Sequence, residues 1–153
     1  MPMKLEHRIG VQAPAEVIWE ILADVPAWPE WNPTYPRAAG TIRYGERLRL
    51  TETLPNGRPH AIGAVVLDWA PNEAIHLRFS RLAGLLTGVR YLEIEVLSET
   101  GCIFSNGDLF TGIVGPFVAR RMRRTLRRAY AAMGEAMKDR AEARWRERGG
   151  GAT

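Results

Sequence analysis

The sequence predicts an α+β domain in which a curved antiparallel sheet of about six or seven strands wraps around one long C-terminal helix, with short helices after the first strand. Three observations carry this. Between Gly112 and Arg148, Val118, Met122, Leu126, Ala129, Met133 and Ala136 recur at spacings of three and four, the period of one buried helical stripe. From Glu46 to Thr111, stretches of alternating apolar and polar residues are separated by Pro, Asn and Gly turn signals. Turns of hairpin length join antiparallel neighbours, because parallel strands need a long crossover.

The elements follow in order. Leu5, His7, Ile9 and Val11 share one parity in a first strand over Lys4 to Val11. Pro14 opens a helix with Val17, Ile18, Ile21, Leu22 and Val25 on one face, and Pro26 ends it. Trp28-Pro29-Glu30-Trp31-Asn32-Pro33 is too rich in proline for a long helix, so a helical turn with an extended exit is expected. Strands then follow over Glu46 to Leu54, His60 to Ala70, Ile75 to Ser80, Arg90 to Ser98 and Cys102 to Thr111. Asn56-Gly57 is read as a tight hairpin supplying positive φ, Pro71-Asn72-Glu73 and Glu99-Thr100-Gly101 as further turns, and Leu82 to Gly88 as a loop or turn, in which Gly84 to Gly88 has the small residues of either a gate or an ordinary turn. Gly115-Pro116 marks the start of the long helix and Gly149-Gly150-Gly151 its stop. At roughly 1.5 Å per residue that helix outruns a small domain, so its Arg140 to Arg148 end is expected to project or fray.

With 153 residues and 46% hydrophobic content, one domain over 1–148 and a disordered tail over 149–153 are expected. No apolar run approaches a membrane span and Met1-Pro2-Met3-Lys4 lacks a secretory leader's apolar core, so a cytoplasmic protein is expected. The single cysteine, Cys102, excludes an internal disulfide, and no spacing of histidines suggests a metal site, so neither metal nor cofactor is expected. Eleven of the 21 Lys and Arg but only four of the 17 Asp and Glu lie from Ile113 onward, which assigns the net charge of +4 to the C-terminal helix. Arg120, Arg121, Arg123, Arg124, Arg127 and Arg128 rotate to the sides and back of that helix. They read either as a solvated face or as a weak contact for an anionic membrane; without interleaved aromatics, nucleic acid is disfavoured. Monomer and dimer stay open.

Ala13-Pro14 with Val17-Ile18-Trp19 and Leu22-Ala23-Asp24, then Trp28-Pro29-Glu30-Trp31-Asn32-Pro33, then Phe110-Thr111-Gly112 before the last helix, resemble the START-like (SRPBCC) superfamily, in particular its bacterial polyketide cyclase/dehydrase and lipid-transport branch. The resemblance implies a helix-grip fold. It also implies either binding of a hydrophobic ligand or a cyclase/dehydratase activity. Members of the branch often carry a His and an acidic residue near the positions of Asn106 and Asp108, and Asn106 departs from that pattern.

Strand parity supplies candidate site residues independently. If Phe104 and Phe110 point inward, Asn106 and Asp108 do too; Leu92 brings Arg90, Leu50 brings Glu52, and Val66 brings Asp68. Leu77 and Phe79 complete the inner sheet face, with Val118, Met122 and Leu126 opposite on the helix and Trp28, Trp31 and Tyr35 as either an aromatic lip or core. Charges among apolar neighbours require pairing, a hydrated cavity or a ligand's polar end. The expected function is therefore a hydrophobic small-molecule site, for a lipid, isoprenoid or polyketide-like compound, between sheet and helix. The alternatives are a cyclase with Asp108 as acid/base tuned by Arg90, and an interaction module using the arginine face. His7 is read as a core or edge residue and His60 as exposed.

Overall fold

The computed structural model describes residues 2–81 and 84–150. Seven strands form one wholly antiparallel sheet: β1 (Met3–Val11), β2 (Arg37–Ala39), β3 (Arg47–Glu52), β4 (His60–Ala70), β5 (Ala74–Arg81), β6 (Leu86–Ser98) and β7 (Gly101–Thr111). Their spatial order is β1-β7-β6-β5-β4-β3-β2, so each strand from β2 onward lies beside its sequence neighbour and the last pairs with the first. Strand β2 is the one the sequence reading lacks, since three residues carry no alternation to detect. Leu86 to Gly88, the second half of the expected gate, lie within β6 rather than in a loop, and Leu82 and Ala83 of the expected loop lie outside the described residues.

The turns follow local chemistry. Ala70-Pro71-Asn72-Glu73 and Leu54-Pro55-Asn56-Gly57 each place Pro second and Asn third, with Asn72 at φ 65° and Asn56 at φ 63°. The fourth N–H of each closes on the first carbonyl, at 3.0 and 2.9 Å. Proline followed by a positive-φ residue is the type II pattern. The positive φ near residue 56 thus falls on Asn56 and not on Gly57, and the β3–β4 connection is longer than a two-residue hairpin.

Helix α1 (Ala15–Ala23) buries Val17, Ile18, Ile21 and Leu22 as its spacing predicts, and Val25 to Glu30 form a 3₁₀ turn. The C-terminal segment is two helices, α2 (Gly115–Arg121) and α3 (Arg123–Glu147), rather than one. Met122 breaks the regular helical conformation at φ −100°, ψ 12°, yet its N–H still reaches Val118 O at 2.9 Å and its carbonyl still accepts from Leu126.

Helix α3 lies across β1 and β7 on the inner face of the sheet, with α1 against its C-terminal half. Its buried residues are Leu126, Ala129, Tyr130, Met133, Gly134, Met137 and Ala141, a stripe rotated from the expected one: Val118, Met122 and Ala136 are only half buried. All six clustered arginines face water, as expected. Small residues set the depth of docking, for a Cβ on Gly134 would stand 2.8 Å from His7 Nδ1. The C-terminal end of α3 does not project. Ala141 is buried, Trp145 packs on the core, and Arg148 Nη2 lies 2.6 Å from Glu20 Oε2 on α1. Gly149, at φ 81°, donates to Arg146 O and Gly150 to Trp145 O, a Schellman stop. Residues 151–153 of the expected tail lie outside the described residues.

Candidate functional site

The register sets one row across the inner face of the sheet: Val66, Leu77, Arg90, Asp108 and Leu5 are successive cross-strand partners from β4 to β1. The next row is Ala64, Phe79, Gly88 and Phe110. Because Gly88 has no side chain, the Phe79 and Phe110 rings meet above it edge to face, 6.0 Å apart. Strand alternation therefore delivers a guanidinium and a carboxylate into the centre of an aromatic and aliphatic core.

Arg90 and Asp108 form a two-pronged pair, with Nε donating to Oδ1 and Nη2 to Oδ2, both at 2.7 Å. Arg90 Nη1 donates to Glu52 Oε2 at 2.7 Å and to the Tyr35 hydroxyl. Tyr130 on α3 donates its hydroxyl hydrogen to Asp108 Oδ2 at 2.6 Å. Glu52 Oε1 takes Arg81 Nη2 and lies 3.1 Å from His60 Nε2. Asp108 is 1% exposed, Glu52 0% and Arg90 5%, so this is a buried network of two carboxylates against two guanidiniums. Burial works against the charge on Arg90, but Asp108 first and then Tyr35 and Glu52 raise its pKa well above its ordinary value. Burial likewise raises the Glu52 carboxyl, and the Arg90 and Arg81 charges outweigh it and hold it below 4.5. Tyr35 is pushed up to about 12, chiefly by burial, and stays a protonated donor at neutral pH.

The Tyr35 hydroxyl accepts from Arg90, and among the described residues its own hydrogen has no acceptor. It borders a small cavity, about 10 Å³, lined by Tyr35, Leu50, Ile62, Ala64, Leu77, Phe79 and Arg90. That is room for about one water.

Of the expected site residues, the fold brings Arg90, Asp108 and Glu52 into one network, with Tyr35 at its edge. Asn106 also points inward, but its Nδ2 donates to Tyr130 O at 2.9 Å and its Oδ1 is buried without a partner. Asp68 is exposed, contrary to the parity argument, because a bulge between Val66 and Asp68 shifts the register. Leu50, Leu77 and Phe79 line the cavity. Val66, Leu92, Phe104 and Phe110 are packed core residues around it, and so is Leu126 on α3. Trp28 is core rather than lip, its Nε1 donating to Leu22 O at 3.0 Å, while Trp31, Val118 and Met122 are partly buried at the edge of the core. His60, expected to be exposed, keeps 41% of its side chain in solvent and is also bonded to Glu52.

Strand parity alone misses Tyr130, Arg81 and His60. Tyr130 follows Ala129 in the α3 stripe and belongs to it once the stripe is rotated, and His60 is the direct register partner of Glu52. Among the described residues no three His, Cys, Asp or Glu side chains converge as metal ligands, and no helix is long and apolar enough to cross a membrane.

Residues 2–142 match the family model described as polyketide cyclase/dehydrase and lipid transport. The fold is similar to that of the Zhui aromatase/cyclase from Streptomyces sp. R1128, with a TM-score of 0.80, 23% identity, and 98% of this chain and 99% of that one covered. It is also similar to norcoclaurine synthase from Thalictrum flavum, with a TM-score of 0.72, 13% identity, and coverage of 94% and 96%. A START superfamily protein from Mycobacterium smegmatis matches with a TM-score of 0.65, 19% identity, and coverage of 94% and 97%. No curated protein sequence matches the chain.

Proposed function

The chain belongs to the polyketide cyclase/dehydrase and lipid-transport family, and from that premise we propose that it binds a hydrophobic small molecule of the lipid, isoprenoid or polyketide-like kind between the sheet and α3. The observation that carries this is the Tyr35 hydroxyl, a donor without an acceptor, beside the Arg90 guanidinium on an otherwise apolar cavity. A ligand carbonyl or hydroxyl oxygen accepts from Tyr35 while the apolar body of the ligand lies against Leu50, Ile62, Leu77 and Phe79. The cavity holds about one water as it stands, so seating such a ligand requires the side chains that line it to move apart.

The test is native mass spectrometry of the purified protein together with titration by 1-naphthol, followed by tryptophan fluorescence. A co-purified apolar compound or saturable naphthol binding, lost in Ala64→Phe with the circular dichroism of the wild type, is the expected result. A bare protein with no saturable naphthol binding overturns the reading.

A second reading, cyclisation or dehydration of a polyketide-type substrate, is favoured by the Asp108 carboxylate beside Arg90 and the Tyr130 hydroxyl. In the closed arrangement Asp108 accepts three hydrogen bonds. A substrate oxyanion that draws Arg90 to itself frees a carboxylate oxygen to take a proton from an adjacent carbon, and the same carboxyl returns it to a departing hydroxide as water. Asp108→Asn then abolishes turnover and leaves naphthol affinity in place; turnover that survives the substitution excludes this mechanism.

A further inference from the structure

We propose that the end of the molecule formed by Leu85, Ile113 and Phe117, together with the arginine stripe that begins behind it, docks on an anionic phospholipid surface. The inference is independent of what the grip holds, since none of these residues touches the internal network.

Three large apolar side chains stand in solvent here: Ile113 is 85% exposed, Phe117 66% and Leu85 49%. The backbone holds them together. Val114 N–H lies 3.4 Å from Leu85 O, and a Cβ on Gly112, at φ 80°, would stand 3.1 Å from the same carbonyl, so the residue before β6 and the entrance to α2 lie side by side. Exposing such residues together is unfavourable in water and marks a contact surface.

The arginines determine what that surface meets. No acidic residue occurs between Asp108 and Glu135, and the ion pairs of the last helix begin only at Lys138. Arg120, Arg121, Arg123, Arg124, Arg127 and Arg128 are thus exposed cations without carboxylate partners among the described residues. The i to i−4 hydrogen bonds continue through Met122, so helical periodicity carries from α2 into α3. At about 100° per residue the six arginines span an arc of about 160°, and Phe117 falls inside it. Exposed apolar side chains beside a broad basic stripe fit a fluid anionic surface, into which the side chains insert and on which the cations spread. No acidic residue interrupts the stripe, so it lacks the pattern of both signs by which a folded partner is selected. The other exposed apolar pair, Val96 and Leu97, sits between Glu95 and Glu99 and has no such complement.

The experiment is co-sedimentation of the full chain with phosphatidylcholine vesicles, with and without one third phosphatidylglycerol, over a salt series. Binding is expected only with phosphatidylglycerol and is expected to weaken steeply as salt rises. Arg121→Glu with Arg124→Glu should lower affinity roughly tenfold or more, and Phe117→Ser with Ile113→Ser by a similar factor. All four positions are exposed, so unchanged melting temperatures confirm that the variants are folded. Absence of binding at low salt, or binding indifferent to salt, overturns the proposal. Binding that follows the arginines but ignores Phe117 and Ile113 also overturns it, in favour of a polyanionic macromolecule.

Discussion

Glu52 and His60 are direct register partners across β3 and β4, with Glu52 Oε1 3.1 Å from His60 Nε2. The Glu52 side chain is wholly buried and that of His60 is 41% exposed, so the carboxylate that anchors Arg90 in the core is also in contact with a solvent-facing imidazole. The interior network therefore reaches the surface at one edge of the sheet, and its strength depends on the ionisation of Glu52.

The first prediction follows from that ionisation. Burial disfavours the Glu52 carboxylate, but Arg90 and Arg81 prevail and lower its pKa below 4.5 in the folded protein. A carboxyl depressed by folding stabilises the native state fully above its unfolded value and ceases to do so as pH falls through the lowered folded value. Wild-type melting temperature should fall as pH drops below 4.5. Glu52→Gln should melt lower at neutral pH yet show a flatter acid limb. Superimposable acid limbs in the two proteins would count against the assignment.

Tyr130 gives a second prediction. Its hydroxyl supplies the contact that ties α3 to Asp108, and burial followed by the Asp108 charge raises its pKa, so it remains a donor at neutral pH. A hydrogen bond to a buried carboxylate contributes about 1.5–3 kcal/mol. Tyr130→Phe should lose that much in urea unfolding without a change of fold, because the Asn106 bond is to the Tyr130 backbone carbonyl and survives.

Much of this was legible from alternation alone. Arg90, Asn106, Asp108 and Glu52 point inward because each lies two residues from an apolar side chain that must be covered, and the chain turns where Pro-Asn pairs demand it. The exceptions have local causes. Asp68 escapes because a bulge changes parity after Val66, which no count of apolar residues reveals. The helix stripe is rotated toward Tyr130, Met137 and Ala141 because Gly134 lets α3 settle over His7, and this docking is a property of two surfaces rather than one sequence window. The C-terminal end is anchored by Glu20, more than a hundred residues away in the chain.

Glycine positions make the third prediction, as a contrast within one sheet. A Cβ at Gly88 would stand 2.5 Å from Phe79 Cζ and 2.6 Å from Leu109 O, and a backbone carbonyl cannot step aside. Gly88→Ala should therefore cost about 1–3 kcal/mol as overpacking. A Cβ at Gly63, on the outer face of β4, meets nothing within 4 Å. Gly63→Ala should be stabilising by about 0.5–1 kcal/mol, since glycine loses more backbone entropy in a strand. Equal denaturation midpoints for the two variants would contradict the packing argument.

The last prediction separates a structural network from a replaceable one. Arg90→Met leaves Glu52 and Asp108 buried without the guanidinium that bridges them, and removing one partner of a buried ion pair costs about 3–5 kcal/mol. The loss comes mainly from stranded charge, not from the shape of the side chain, because methionine occupies much of the same volume. Adding Glu52→Gln and Asp108→Asn removes that charge, so the triple variant should recover most of the loss in guanidinium unfolding. Its melting temperature should also become less sensitive to acid than that of the wild type, the remainder coming from Glu20 and Glu142, whose pKa values are also lowered. If Arg90→Met unfolds at the wild-type midpoint, the carboxylates are hydrated in solution and the interior is open to water. If the single and triple variants are equally destabilised, the contribution of Arg90 is its packing against Phe79, whose ring centroid lies 5.8 Å from the guanidinium carbon.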